Sequence, residues 1–181
     1  MQKKVIVISS TPRKGGNSDL LADAFVKGST EAGHIAEKIN IRDINLKFCE
    51  GCFACQKSKD NLCPIKDDMS SYLPRLQDAD VLAFATPVYF FDMCGQLKTF
   101  LDRLNPLYPR QNKFTDIYLL ATAAEAETNT MEGTIKGVSG WIECFKQSSL
   151  KGVVGALGVI DVGDINKTDY IDNAYELGKS I

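Results

Sequence analysis

The sequence predicts a doubly wound α/β domain, and three observations carry that expectation. Strand-like runs such as KKVIVIS (3–9) and DVLAFATP (80–87) are continuously apolar rather than alternating, as strands covered on both faces must be. Between such runs stand segments whose apolar residues recur at spacings of three and four, the signature of helices with one buried face. The length of 181 residues, with 44% hydrophobic and 24% charged residues, suits a single folded domain over 1–181 with room for a core.

The elements follow in order. After the first strand (3–9) comes a polar, glycine-containing loop, STPRKGGN, and then a helix over 18–33 with Leu20, Leu21, Ala24, Phe25 and Gly28 on one face. IAEKINI (35–41) is the second strand. A cysteine-rich insertion at about 47–66 precedes the helix MSSYLPRLQDA, which carries Pro74 inside it. DVLAFATP (80–87) is the third strand, and QLKTFLDRL (96–104) a helix with Leu97, Phe100, Leu101 and Leu104 on one stripe. DIYLLATA (116–123) is the fourth strand. Ile135, Val138, Ile142 and Phe145 make 131–146 a helix, KGVVGALGVIDV (151–162) is the fifth strand, and 167–180 is a closing helix. Right-handed crossovers then predict a five-stranded parallel sheet of order 2-1-3-4-5 with helices on both faces. Ligands of such sheets bind beyond the carboxyl ends of the strands, where the winding reverses beside the first strand. That rule singles out the loops at about 9–18, 86–95 and 122–130.

Composition excludes some functions. A net charge of −2 and a pI near 5.5 give no footprint for nucleic acid. No apolar run approaches the roughly 20 residues of a membrane span, and the N-terminal one is too short for a signal peptide. The expectation is a cytoplasmic protein with no nucleic-acid or membrane partner. In a reducing compartment, clustered cysteines serve as metal ligands or redox thiols more often than as structural disulfides.

The first loop, SSTPRKGGNS, reads as a phosphate cradle. It offers hydroxyls at Ser9, Ser10, Thr11 and Ser18, an amide at Asn17, a guanidinium at Arg13 and adjacent glycines, at the start of a helix whose first turn presents free amides. Asn17 or Ser18 is expected to cap that helix. A plain polar turn is the simpler alternative, but position and donor content agree on an anion. Neither Gly-x-Gly-x-x-Gly nor Gly-x4-Gly-Lys-Ser/Thr occurs there, so neither a dinucleotide fingerprint nor an NTPase loop is present.

With those residues in view, VISSTPRKGGNSDLL resembles the FMN-phosphate loop of the flavodoxin-like NAD(P)H-dependent FMN reductases, with Ser10 and Thr11 in place of the usual Gly-Ser. ATPVYFFDMCGQLKTFLDRL resembles the same family's Pro-x-Tyr segment and following helix, with Leu97-Lys98 and Asp102-Arg103 at corresponding places. In the third loop, ATAAEAE has alanines and acidic residues where glycines are usual. The resemblance covers nearly the whole chain. It implies a flavodoxin-like fold and FMN held by Ser10, Thr11, Arg13, Asn17, Ser18, Thr86, Pro87, Val88, Tyr89, Phe90, Thr122 and Ala123. Tyr89 is the expected flavin neighbour and Phe91 a packing or interface residue. Catalysis then needs no side-chain acid or nucleophile, because the chemistry belongs to the cofactor. No Cys-x5-Arg or Cys-His pairing offers a rival site. His34 reads as a surface residue, and Lys98, Asp102 and Arg103 as a structural ion-pair set.

Four of the six cysteines, Cys49, Cys52, Cys55 and Cys63, form Cys-x2-Cys-x2-Cys-x7-Cys followed by Pro64. Three thiolates at intervals of three can converge on one cluster. The final gap and the segment CPIKDDM resemble the iron–sulfur flavoprotein subgroup, which implies a [4Fe-4S] cluster on these four. Flavin alone with free or switching thiols is an equal alternative, and zinc a weaker one, since structural zinc sites usually split into two separated cysteine pairs. Cys94 and Cys144 read as inert packing residues. The resulting expectation is an FMN-dependent oxidoreductase that takes hydride from NAD(P)H. It would pass electrons to a quinone, flavin, azo or nitro compound, or protein acceptor, as a homodimer or homotetramer. An iron–sulfur flavoprotein electron carrier and a non-redox binding module are the rivals.

Overall fold

The structure is a computed structural model that describes residues 1–60, 62–108 and 110–181; Asn61, inside the cysteine-rich insertion, and Pro109 lie outside the described residues. The chain runs β1 (Lys4–Ser9), α1 (Asn17–Glu31), β2 (Ile35–Asn40), α2 (Ala54–Lys57), α3 (Met69–Gln77), β3 (Val81–Tyr89), β4 (Asp92–Met93), α4 (Gly95–Asp102), β5 (Asp116–Thr122), α5 (Glu132–Glu143), β6 (Ser149–Ala156) and α6 (Tyr170–Lys179). Five strands pair in parallel in the order β2-β1-β3-β5-β6. This is the expected 2-1-3-4-5 arrangement of the long strands. What differs is β4, a two-residue antiparallel addition to the end of β3, too short to show as a period in the sequence.

Alternation within each strand assigns the two layers. Val5, Val7, Val81, Ala83, Ala85, Tyr118 and Leu120 face α1 and α6. Ile6, Ile8, Leu82, Phe84, Ile117, Leu119 and Ala121 face α3, α4 and α5. Every one of Val5 to Ile8 is at most 4% exposed, which is why that run is apolar without a break. Helices α1 and α6 meet backbone to backbone. A Cβ on Gly28 would stand 2.0 Å from the Tyr175 carbonyl oxygen, and one on Gly178 would stand 2.3 Å from that of Phe25.

The last strand is shorter than its composition suggests and ends at Ala156 rather than near residue 162. Gly158, at φ +70°, turns the chain out of the sheet, and the Gly158 and Val159 amides then donate to Glu125 and Ala123. Residues 157–165 thereby become a fourth loop at the carboxyl ends of the strands. His34, expected at the surface, is half-buried and accepts from the Lys3 amide through Nδ1 (3.2 Å), with Nε2 2.9 Å from the Ile181 carbonyl oxygen. Among the described residues no helix is long and apolar enough to cross a membrane.

Candidate functional site

The first loop is anchored from beneath by a residue that the sequence pattern did not single out. Asp19 is 2% exposed in the first turn of α1 and accepts from the Ser9 hydroxyl (2.8 Å) and the Gly15 amide (3.0 Å). Lys38 and Arg42 add ion pairs at 3.0 and 3.1 Å. Burial alone would raise its pKa; the Gly15 amide, Lys38, Ser9 and Arg42 outweigh that and hold it at about 2. The carboxylate therefore stays charged, and the loop is drawn over it with Gly15 at φ +68°, a conformation glycine adopts without strain. The helix cap is Gly16, with no side-chain cap bond, rather than Asn17 or Ser18. Among the described residues the Asn17 and Ser18 amides have no acceptor within the protein, so the positive end of α1 stays open.

The expected residues divide into two groups. Thr11, Arg13, Asn17 and Ser18 line one cleft with Pro87, Val88, Tyr89 and Thr122. Ser10, Thr86 and Ala123 lie beneath it. The Ser10 hydroxyl donates to the Ala85 carbonyl (2.8 Å), Thr86 Oγ1 accepts from the Cys94 amide (3.2 Å), and the Ala123 amide is spent on Ala156. Phe90 is fully exposed and outside the cleft. Gly16, Ala124, Val159 and Ile160 complete the lining. The last two come from the fourth loop, hidden in the sequence because 151–162 reads as one strand. That loop is tied to the first by Asn17, whose Nδ2 donates to the Asp161 carbonyl (2.9 Å) and whose Oδ1 accepts from Gly163 (3.2 Å). Arg13 Nη1 reaches the Ile160 carbonyl at 3.2 Å.

The cleft measures about 170 Å³. Cavities of about 370 and 440 Å³ lie elsewhere, around Cys49 and Trp141 and around Phe48 and Gln96. Of these three, the smaller one lies where the fold places ligands, with open amides, hydroxyls and one guanidinium turned toward it. At its rim Tyr89 pairs with Asp92 across a two-residue hairpin whose centre, Phe90 and Phe91, has φ of 52° and 64°. Such hairpins normally carry Asn-Gly, and a bulky residue there holds strain of order 1–3 kcal/mol.

Residues 3–140 match the family profile described as NADPH-dependent FMN reductase. The chain belongs to that family. A Bacillus subtilis protein named as an NAD(P)H-dependent FMN-containing oxidoreductase is 33% identical over 132 residues, 67% of each chain. An iron–sulfur flavoprotein of Methanocaldococcus jannaschii is 38% identical over 104 residues, 58% of this chain and 53% of that one. The chain spans about half the length of the first curated relatives it matches. In fold, this FMN reductase family member overlays an NAD(P)H:quinone oxidoreductase from Methanothermobacter marburgensis with a TM-score of 0.73 at 20% identity, covering 99% and 96% of the two chains. It overlays an FMN-dependent NADH-azoreductase from Bacillus anthracis, solved with FMN, with a TM-score of 0.69 at 16% identity, covering 99% and 97%.

The cysteine segment of this family member is a separate structure, closed at its base by one side chain. Arg103 is 2% exposed; its guanidinium donates to the Lys47 carbonyl (2.8 Å), to both oxygens of Asp67, and toward Cys63 Sγ at 3.7 Å. Asp67 also accepts the Lys47 amide (2.9 Å), and Asp68 the Asn45 amide (2.8 Å). Burial opposes ionisation of both partners, and their mutual attraction outweighs it, lowering the Asp67 pKa and raising that of Arg103. Lys98 pairs with Asp102 at 2.7 Å on the exposed face, apart from Arg103. The expected trio is thus two unrelated ion pairs. Cys55 is buried, with its thiol pushed up by burial first and by the neighbouring Cys63, Cys49 and Cys52 after it. Cys49 and Cys52 are exposed. Among the described residues no three Cys, His, Asp or Glu side chains are placed to hold a metal ion, so a cluster does not fit this arrangement of the four cysteines. Cys94, fully buried, lies between the first two loops, with Sγ 3.2 Å from the Ser10 hydroxyl.

Proposed function

We propose that this chain is an FMN-dependent oxidoreductase that draws hydride from NAD(P)H and passes electrons to a quinone-, flavin-, azo- or nitro-type acceptor or to a protein. The observation that carries the reading is the meeting of loops 9–18, 86–95 and 122–130 in one cleft with the open amides of α1 and Arg13. A flavin phosphate suits that donor set. The Asn17 and Ser18 amides and the Thr11 and Ser18 hydroxyls supply neutral donors, and Arg13 supplies the balancing charge. At about 170 Å³ the cleft is smaller than the ~300–1,000 Å³ usual for whole ligands, so it takes the anionic tail and leaves the ring at the Tyr89 rim. Bound FMN supplies the hydride and electron chemistry, while the protein fixes the tail and shields one side of the site. Ser10, Thr86 and Cys94 hold the first two loops together from beneath, and Asn17 holds the fourth loop against them.

Arg13→Ala is expected to weaken FMN binding by about tenfold to a hundredfold, the loss of one charge-assisted contact of roughly 1.5–3 kcal/mol. Fluorescence titration of FMN into the protein measures it. Unchanged affinity removes the phosphate assignment, and failure to bind FMN at all returns the cleft to a non-redox anion site.

A second reading has one observation behind it: four cysteines, the buried Cys55 among them, share one short segment, and relatives are named iron–sulfur flavoproteins. In that reading the segment draws in around a [4Fe-4S] cluster and the chain is an electron carrier. Iron and acid-labile sulfide in anaerobically purified protein decide it. Assembly as a homo-oligomer is part of the proposal, supported by the exposed ring pair Phe90 and Phe91 beside the cleft, and sedimentation velocity tests it.

A further inference from the structure

The sixth cysteine does not behave as a packing residue. Cys144 caps the C-terminal end of α5, is exposed, and lines the 370 Å³ cavity together with Cys49. Both thiols are free. Leu101 and Asp102 form one side of that cavity, Trp141 and Phe145 another. The two cysteines are held very differently. Val138, Ile142 and Phe145 bury the inner face of the α5 end and hold the backbone of Cys144 in place, while its exposed thiol meets the Gly140 carbonyl at 3.7 Å. Cys49 lies in a stretch, 48–52, that makes no hydrogen bond among the described residues. Of the other cysteines, Cys52 and Cys55 do not line the cavity, and Cys63 is turned toward Arg103.

We propose that Cys49 and Cys144 form a dithiol site that low-molecular-weight disulfides oxidise to an intramolecular disulfide, fastening the cysteine segment to α5. The Cys49 sulfur attacks one sulfur of the incoming disulfide, giving a mixed disulfide and one released thiol. The Cys144 sulfur then attacks the Cys49 sulfur, forming the internal bond and releasing the second thiol. The two protein thiols are oxidised, the one external disulfide is reduced to two thiols, and the two protein protons leave on those thiols. The site is independent of the flavin reading, because none of its residues line the flavin cleft.

The test treats the purified full chain, air-free and with bound flavin retained, with oxidised glutathione. It then blocks free thiols with N-ethylmaleimide and maps peptides without reduction. The expected result is a Cys49–Cys144 crosslink with two glutathione thiols released per crosslink. The single tryptophan, Trp141, stands in the cavity wall, so its emission falls as the disulfide forms. Cys144→Ser is expected to leave glutathione attached to Cys49, with no crosslink and no change in emission. The proposal is overturned if Cys49 links instead to Cys52, Cys55 or Cys63, or if wild-type protein stops at mixed disulfides. It is also overturned if Cys49 is protected from both reagents in iron-containing protein.

Discussion

At the scale of single residues, the site rests on one buried carboxylate. Asp19 ties strand β1, the glycine turn and two cations of the neighbouring β2 region into one knot. A folded pKa of about 2 against an ordinary value near 4 corresponds to about 2 kcal/mol of stability. Because the folded value is the lower one, that contribution is complete above about pH 4 and disappears as pH falls through about 2. Asp19→Asn is therefore expected to lose about 2 kcal/mol at neutral pH and to show a flatter acid limb than the wild type; urea denaturation at several pH values measures both. The Arg103–Asp67 pair is more demanding still, with side chains 1% and 0% exposed. Arg103→Met strands the Asp67 carboxylate and is expected to destabilise the chain by about 3–5 kcal/mol in the same assay. Neither role was legible in the sequence. Asp19 reads as an ordinary first-turn acid, and Arg103 groups naturally with Lys98 and Asp102 on its own helix. Apart from Gly15, their partners lie in segments brought near by the finished fold.

At the scale of elements, the strands and helices were legible because burial on both faces leaves an unbroken apolar run, and a one-faced helix leaves spacings of three and four. The departures occur where a backbone turn overrides composition. KGVVGALGVIDV is apolar throughout, yet Gly158 takes the chain out of the sheet and makes Val159 and Ile160 cleft walls. Two Phe residues at positive φ are likewise the last pair a propensity argument would place in a tight hairpin. Phe90→Asn together with Phe91→Gly is expected to relieve that strain, raising monomer stability by about 1–3 kcal/mol while weakening self-association. Urea midpoints and sedimentation velocity on one sample check the two effects. Helix packing gives a complementary expectation. Gly28→Ala drives a methyl group into the Tyr175 carbonyl, so α1 and α6 must part, at about 1–3 kcal/mol, seen as a lower melting temperature.

At the scale of the whole molecule, the sheet fixes where the cleft lies before any side chain is considered: β1 sits between β2 and β3, and the winding reverses there. That rule, together with hydroxyl and arginine content, was enough to find three of the four loops that line the cleft. It could not reveal which hydroxyls turn inward, since Ser10 and Thr86 differ from Thr11 and Ser18 only in what lies beneath them. The cysteine segment lies under a different rule. Its two ends leave and rejoin the body at Lys47 and Asp67, where a single guanidinium grips both. Between those points the Gln56 amide holds Asn105 (2.6 Å) and Arg110 reaches the Asp60 carbonyl, so a change within the segment passes directly into the 105–110 stretch that leads to β5.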